Sequence, residues 1–110
     1  MKKFIPILTL ILLFSCQTKP EINPDKIKAE LDSIFVLDQM YRGQLEALYL
    51  DYGYDSKEFQ EVLAKQIAID SSNLIYVEDL IDKYGKYPGQ SLVGHSSGQV
   101  AFFVLQHAPD

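Results

Sequence analysis

Apolar residues recur at alternating intervals of three and four positions between Ile27 and Tyr52. This spacing is typical of the buried face of an α-helix. Asn23 followed by Pro24 predicts the start of the helix, because asparagine caps a helix and proline fits its first turn. Gly53 predicts its end. One helix of about four heptads is therefore expected. Its seam comprises Ile27, Leu31, Ile34, Asp38, Tyr41, Leu45, Leu48 and Tyr52.

A second stripe with the same spacing runs from Phe59 to Tyr84. Asp55 with Glu58 three positions later resembles a capping box and predicts the start of this helix, and Gly85 predicts its end. Because the joining segment is short, the two helices are expected to pack as an antiparallel hairpin. The second stripe comprises Phe59, Leu63, Ile67, Asp70, Leu74, Val77, Ile81 and Tyr84.

The final segment follows a loop rich in glycine, proline and serine, residues 85–94. Ser96 or Ser97 can cap a helix that extends to His107. The six consecutive apolar residues 100–105 also suit a buried strand, and of the two we favour the helix. The predicted fold class is all-α: a long antiparallel helical hairpin plus a third short helix, after an N-terminal signal helix.

The first fifteen residues predict a targeting signal. Lys2 and Lys3 precede an apolar run of eleven residues, 4–14, which is too short to span a membrane and has the length of a signal-peptide core. Leu13-Phe14-Ser15-Cys16 resembles the lipobox of bacterial lipoproteins, in which the cysteine receives a diacylglyceryl group. Cys16, the only cysteine, is therefore the predicted lipidation site. A plain secretory signal with an incidental cysteine is the alternative.

Length and charge narrow the classes of function. The 110 residues allow one domain, and a single cysteine excludes a disulfide framework. The predicted parts are a signal peptide (1–15), a lipidated tether (16–23) and a helical domain (24–110). The net charge of −5 argues against nucleic acid and anionic headgroups as partners, so the lipid on Cys16 must provide the membrane affinity. We expect a lipid-anchored envelope protein, sorted to the outer membrane and facing the periplasm.

One acidic residue interrupts each apolar stripe, and the pair predicts a polar site. Asp38 and Asp70 are equally distant from the turn, so they should face each other across the hairpin. Two carboxylates in an apolar seam cannot both remain ionised without partners. Arg42, one turn from Asp38, can pair with both. A shared proton or a bound cation would also resolve the conflict.

The residues near this pair suggest a larger polar cluster. Asp38, Asp70 and His107 are the candidate catalytic residues, with His107 as a general base that an aspartate orients. A buried polar network that fixes the register of the helices is the interpretation we favour over catalysis. No pair of histidines has metal-ligand spacing, and no metal or cofactor is expected. The expected cluster comprises Asp38, Gln39, Arg42, Asp70, Asn73, Gln106 and His107.

Several short motifs occur in a fixed order. They are Asp38-Gln39-x-x-Arg42, Asp70-x-x-Asn73, Gly85 with Pro88, Leu92-Val93-Gly94 and Gln106-His107-Ala108. Together they resemble a bacterial domain family of unknown function that occurs in secreted lipoproteins, and the resemblance covers about residues 30–108. Where the family has Gly-Trp-Pro, this chain has Gly85-Lys86-Tyr87-Pro88. The resemblance implies an all-α fold, and a longer domain of which 24–110 is a C-terminally truncated part.

Three functions remain open on this basis. The first is a non-catalytic helical module that binds a ligand or a partner protein. The second is a hydrolase-like enzyme that uses Asp38, Asp70 and His107. The third is a truncated fragment without function. The identity of any small-molecule or protein partner is not encoded in a recognisable motif.

Overall fold

In the computed structural model, residues 21–110 are described, and within that range the chain is helical with no strand. The all-α prediction is therefore confirmed, and the final segment is a helix rather than a strand. The predicted signal peptide, Cys16 and most of the tether lie outside the described residues. The helices are α1 (Pro24–Gln39), α2 (Arg42–Tyr52), α3 (Lys57–Tyr84), α4 (Gln90–Val93) and α5 (Val100–His107), with a 3-10 turn at Ser97–Gln99.

The ends of the helices follow local signals in most places. The side chain of Asn23 accepts a hydrogen bond from the backbone of Lys26 at the start of α1, and Pro24 occupies the first turn. Gly85 ends α3 with a φ of 79°, a left-handed conformation that glycine adopts at no steric cost. Between residues 21 and 110 no helix is long and apolar enough to cross a membrane.

Two predicted boundaries are wrong. The expected single helix from residue 24 to residue 52 is interrupted, because α1 ends at Gln39 and α2 begins at Arg42. The helix α3 begins after Ser56, whose side chain accepts a hydrogen bond from the backbone of Phe59 at 3.2 Å. Ser56 thus takes the capping role that the sequence suggested for Asp55, because its hydroxyl, one position later, reaches the first turn.

Contacts between side chains define how the helices run. Tyr76 on α3 donates a hydrogen bond to Glu30 on α1, whereas the ring of Phe59 near the start of α3 packs on Tyr49 of α2. The chain therefore runs down α1 and α2 and returns along α3. The helix α5 lies against both α1 and α3. Contacts at residue pairs 32/97, 35/103 and 38/107 show that α5 runs parallel to α1.

The apolar core lies where α1, α3 and α5 meet, and α2 contributes no buried residue to it. The buried stripe of α3 differs from the predicted one: Ile67 is 43% exposed, whereas its neighbour Gln66 is 1% exposed. Gly98 packs close to the start of α4, since a Cβ at this position would lie 2.5 Å from the backbone nitrogen of Gln90. The core residues are Ile27, Leu31, Ile34, Val77, Leu80, Val93, Val100, Ala101 and Val104.

Candidate functional site

Asp38 is the centre of a polar cluster at the C-terminal end of α1. Its side chain is 1% exposed. The Nδ1 atom of His107 lies 2.9 and 3.0 Å from its two carboxylate oxygens, and Nε2 of Gln39 donates to Oδ2 at 2.7 Å. The Nη2 atom of Arg42 is 3.4 Å from Oδ1. Both oxygens of this buried carboxylate therefore have donors, as a buried charge requires.

Asp70, on α3, lies opposite Asp38, and both carboxylates contact Arg42. Nη2 of Arg42 is 2.8 Å from Oδ1 of Asp70, closer than it is to Asp38. The side chain of Asp70 is 7% exposed and that of Arg42 is 28% exposed. One guanidinium nitrogen thus bridges two carboxylates, which is the first of the three arrangements expected for the acid pair.

Gln66 belongs to the cluster, and sequence reasoning missed it. Its Nε2 donates to Oδ1 of Asp70 at 2.9 Å and to the backbone carbonyl of Asp38 at 3.1 Å. Its Oε1 accepts a hydrogen bond from the backbone of Tyr41 at 3.0 Å. The carbonyl and the N–H lie at the interruption between α1 and α2, where helical partners are missing. Gln66 sits four positions before Asp70, and that spacing was the available signal.

The remaining expected members do not all join the cluster. Asn73 is buried, and its Nδ2 has no hydrogen-bond partner among the described residues. The side chain of Gln106 is exposed and makes no hydrogen bond to the cluster within the described range. His95 is exposed in its loop. Its Nε2 lies 3.2 Å from Nε2 of Gln99, and among the described residues it makes no hydrogen bond to the cluster. The structure therefore brings together Asp38, Gln39, Arg42, Asp70 and His107.

His107 is a partly exposed ionisable group that contacts Asp38. Its side chain is 29% exposed, and its ring stacks on that of Phe103 with a centroid separation of 6.5 Å. Because the ionised carboxylate of Asp38 can only accept, Nδ1 of His107 carries the proton in their hydrogen bond. In the neutral imidazole Nε2 then has a free lone pair. The pair has the parts of a general base and its orienting group.

A second group of polar residues borders an open groove beside α5. Ser97, itself 1% exposed, donates to Oδ1 of Asp32 at 2.6 Å, and Lys28 donates to Oδ2 at 2.8 Å. These bonds, that of Lys28 first, hold the pKa of Asp32 below its usual range. The groove has a volume of about 510 Å³. It is lined by Asp32, Phe35, His95, Ser96, Gln99, Val100 and Phe103.

Comparisons with protein families, curated proteins and solved structures find no match for the chain. The resemblance to a lipoprotein-associated family therefore stays a prediction that rests on the short motifs. Within residues 21–110, no three histidine, cysteine or acidic side chains are grouped as a metal site.

Proposed function

We propose that the protein is a lipid-anchored lipoprotein of the bacterial envelope that acts as a non-catalytic helical module and binds a partner protein. One observation carries the binding role: none of the eleven residues of α2 is buried, although they include three leucines and two tyrosines. Soluble proteins rarely leave a contiguous apolar surface uncovered unless it is an interaction site.

Four exposed apolar side chains lie where α2 turns into α3, and others lie on α1, α3 and α5. Tyr49 is 54% exposed, Leu50 74%, Tyr52 60% and Tyr54 57%. The rings of Tyr49 and Tyr54 pack on Phe59, with centroids 6.1 and 5.3 Å apart. Aromatic residues held in this way offer large contact area at little cost in conformational entropy. Such residues are enriched at protein interfaces.

The polar cluster supports a structural role for the middle of α3, where α1 and α5 meet it. Asp38 on α1, Asp70 on α3 and His107 on α5 are joined through Arg42 and through direct contact. This network fixes the three helices relative to one another and occupies both oxygens of Asp38. A buried network of this kind specifies one arrangement of helices more than it adds net stability.

The lipid anchor rests on the pattern that ends at Cys16. Growth with labelled palmitate should place label on the wild-type protein and not on Cys16→Ser. Fractionation should place the mature wild-type protein in the outer membrane. An unlabelled wild type, or a labelled Cys16→Ser, would contradict the anchor.

Photo-crosslinking in intact envelopes tests the binding role. A benzoylphenylalanine at position 50, in place of Leu50, should yield one discrete crosslinked adduct. Ile75 is a matched control, because it is an apolar residue on α3 that is 62% exposed outside the turn. The same adduct from position 75, or no adduct from position 50, would contradict binding through α2.

A hydrolase is the second candidate, and the contact between Asp38 and His107 favours it. Nε2 of His107 would take a proton from water while the resulting hydroxide adds to a carbonyl carbon, and the proton would then pass to the leaving group. p-Nitrophenyl acetate is a simple probe. Hydrolysis above background by the wild type that is lost in His107→Gln would favour the enzyme. Equal rates for the two proteins would exclude this role for His107.

A further inference from the structure

We infer that the turn between α2 and α3 docks a basic amphipathic helix of a partner protein. The surface concerned, here called the hairpin tip, comprises residues 46–61. The inference rests on the proposed binding function and adds the chemistry of the partner. It follows from two properties of the hairpin tip: its uncovered apolar side chains and its charge.

The charge of the hairpin tip is strongly negative. Residues 46–61 contain five acidic side chains and one basic side chain. The single base, Lys57, lies 3.7 Å from the carboxylate of Glu61, so its charge is already matched. Every acidic residue of the hairpin tip is exposed. The four others are Glu46, Asp51, Asp55 and Glu58.

The apolar side chains of the hairpin tip lie among these acids in the sequence and share the same turn. Leu50 and Asp51 are adjacent, as are Tyr54 and Asp55. A partner with leucine-like side chains on one face and lysine or arginine beside them would cover the apolar residues and neutralise the acids. An amphipathic helix presents both kinds of side chain at a spacing of one turn. The tyrosine rings add favourable contacts for cationic side chains.

The same charge disfavours other occupants. An anionic bilayer surface attracts basic segments and would repel the hairpin tip. A second copy of the chain would bring a surface of the same sign into contact, which is unfavourable. The hairpin tip also lies at the opposite end of α3 from Ile22, which packs against the core beside Leu80. From Phe59 to Leu80 the helix extends about 30 Å, so the hairpin tip is held away from the tethered end.

Binding of synthetic helices tests the partner chemistry. The probe is a fluorescent peptide of about five helical turns, with leucine on one face and lysine on the other. Its counterpart has glutamate in place of lysine. Fluorescence anisotropy with the purified full-length protein should show binding of the lysine peptide that weakens with salt, and no binding of the glutamate peptide. Equal binding of both peptides, or binding of neither, would overturn the inference.

Matched variants separate the hairpin tip from general acidity. Leu50→Ser should weaken binding of the lysine peptide by about tenfold, and Ile75→Ser should leave it unchanged. Neutralising three acids of the hairpin tip should also weaken binding by about tenfold, and neutralising three exposed acids of α3 should have little effect. The first triple variant is Asp51→Asn/Asp55→Asn/Glu58→Gln. The control triple variant is Glu78→Gln/Asp79→Asn/Asp82→Asn.

Three outcomes would count against this inference: equal losses in both triple variants, dimer formation that Leu50→Ser abolishes, or binding of phosphatidylcholine vesicles that Leu50→Ser abolishes. Failure of the inference can be told apart from failure of the proposed function. A crosslinked adduct from position 50 without binding of the lysine peptide leaves the binding module intact and rejects its basic partner. Absence of that adduct rejects the binding function itself.

Discussion

The side-chain amide of Gln66 on α3 donates a hydrogen bond to the backbone carbonyl of Asp38, 28 positions earlier, where α1 ends. The oxygen of the same amide accepts from the backbone of Tyr41. One side chain therefore satisfies two backbone groups that the interruption between α1 and α2 leaves without helical partners. The site of the interruption is stabilised from across the hairpin and not only by residues next to it.

Gln66→Leu keeps the volume of the side chain and removes these bonds. The carbonyl of Asp38 and the N–H of Tyr41 would both lose their partner, and each buried unpaired group costs about 1–3 kcal/mol. We expect a loss of about 2–4 kcal/mol in urea unfolding. Gln44→Leu, at an exposed position of α2, should change stability by less than about 0.5 kcal/mol. Similar values for the two variants would show that Gln66 does not support the interruption.

Arg42→Ala should destabilise the domain more than Asp38→Asn or Asp70→Asn alone, because both buried carboxylates lose their cation together. Breaking a buried pair costs about 3–5 kcal/mol. Urea unfolding of the three variants at neutral pH measures the difference.

The control for Arg42 is an exposed ion pair. Nζ of Lys28 is 2.8 Å from Asp32, and about half of each side chain is exposed. Lys28→Ala should therefore cost much less than Arg42→Ala. If Arg42→Ala costs no more than Lys28→Ala at neutral pH, the three charged residues do not act as a buried site.

Two glycines should respond to alanine in opposite directions. A Cβ at Gly98 would lie 2.5 Å from the backbone nitrogen of Gln90 and 2.9 Å from the carbonyl carbon of Gly89, so the α4 segment must move. Gly98→Ala should lower the free energy of unfolding by about 1–3 kcal/mol. A Cβ at Gly43, on α2, would meet no atom within 4 Å. Gly43→Ala should therefore raise the free energy of unfolding by about 0.5–1 kcal/mol. A loss at Gly43 or neutrality at Gly98 would contradict the packing described.

Tyr76 should make the domain sensitive to alkali. Burial first, and then its hydrogen bond to Glu30, raise the pKa of Tyr76 above its ordinary value of 10.0. The unfolded chain therefore ionises this phenol at a lower pH than the folded chain. Its contribution to stability is present below pH 10 and is lost as the pH rises towards the folded pKa. Tyr76→Phe should flatten the fall of thermal stability above pH 10.

A matched control is available on α2. Tyr52 is 60% exposed, and no described residue bonds its hydroxyl. Tyr52→Phe should leave the alkaline slope as it is in the wild type. A slope that changes equally in the two variants would mean that the contact with Glu30 contributes nothing.

Spacing alone predicted much of the fold and the centre of the cluster. The caps at Asn23 and Gly85 are local features, so the sequence reveals them directly. Asp38 and Asp70 were recognisable because each is a charged residue in an apolar stripe. Arg42 followed from its position one turn beyond Asp38.

What the sequence concealed depends on contacts across the hairpin. Gln66 is polar, so a pattern of apolar positions assigns it to the surface and assigns Ile67 to the core. In the structure Gln66 is buried and Ile67 is exposed. The amide of Gln66 bonds to backbone groups at the interruption between α1 and α2, and the apolar pattern does not predict that interruption. Local propensity gives no sign of that interruption at Met40 and Tyr41, since both residues suit a helix well enough to continue it.

The parallel course of α5 along α1 brings together residues that are far apart in the chain. Arg42 and Asp70 are 28 positions apart, whereas Asp38 and His107 are separated by 69. Closing the longer loop costs more chain entropy, and the contacts that offset this cost form only after the loop has closed. The hairpin of α1, α2 and α3 can therefore form first, with Arg42 already between the two acids. Docking of α5 then adds a donor, Nδ1 of His107, to both oxygens of Asp38.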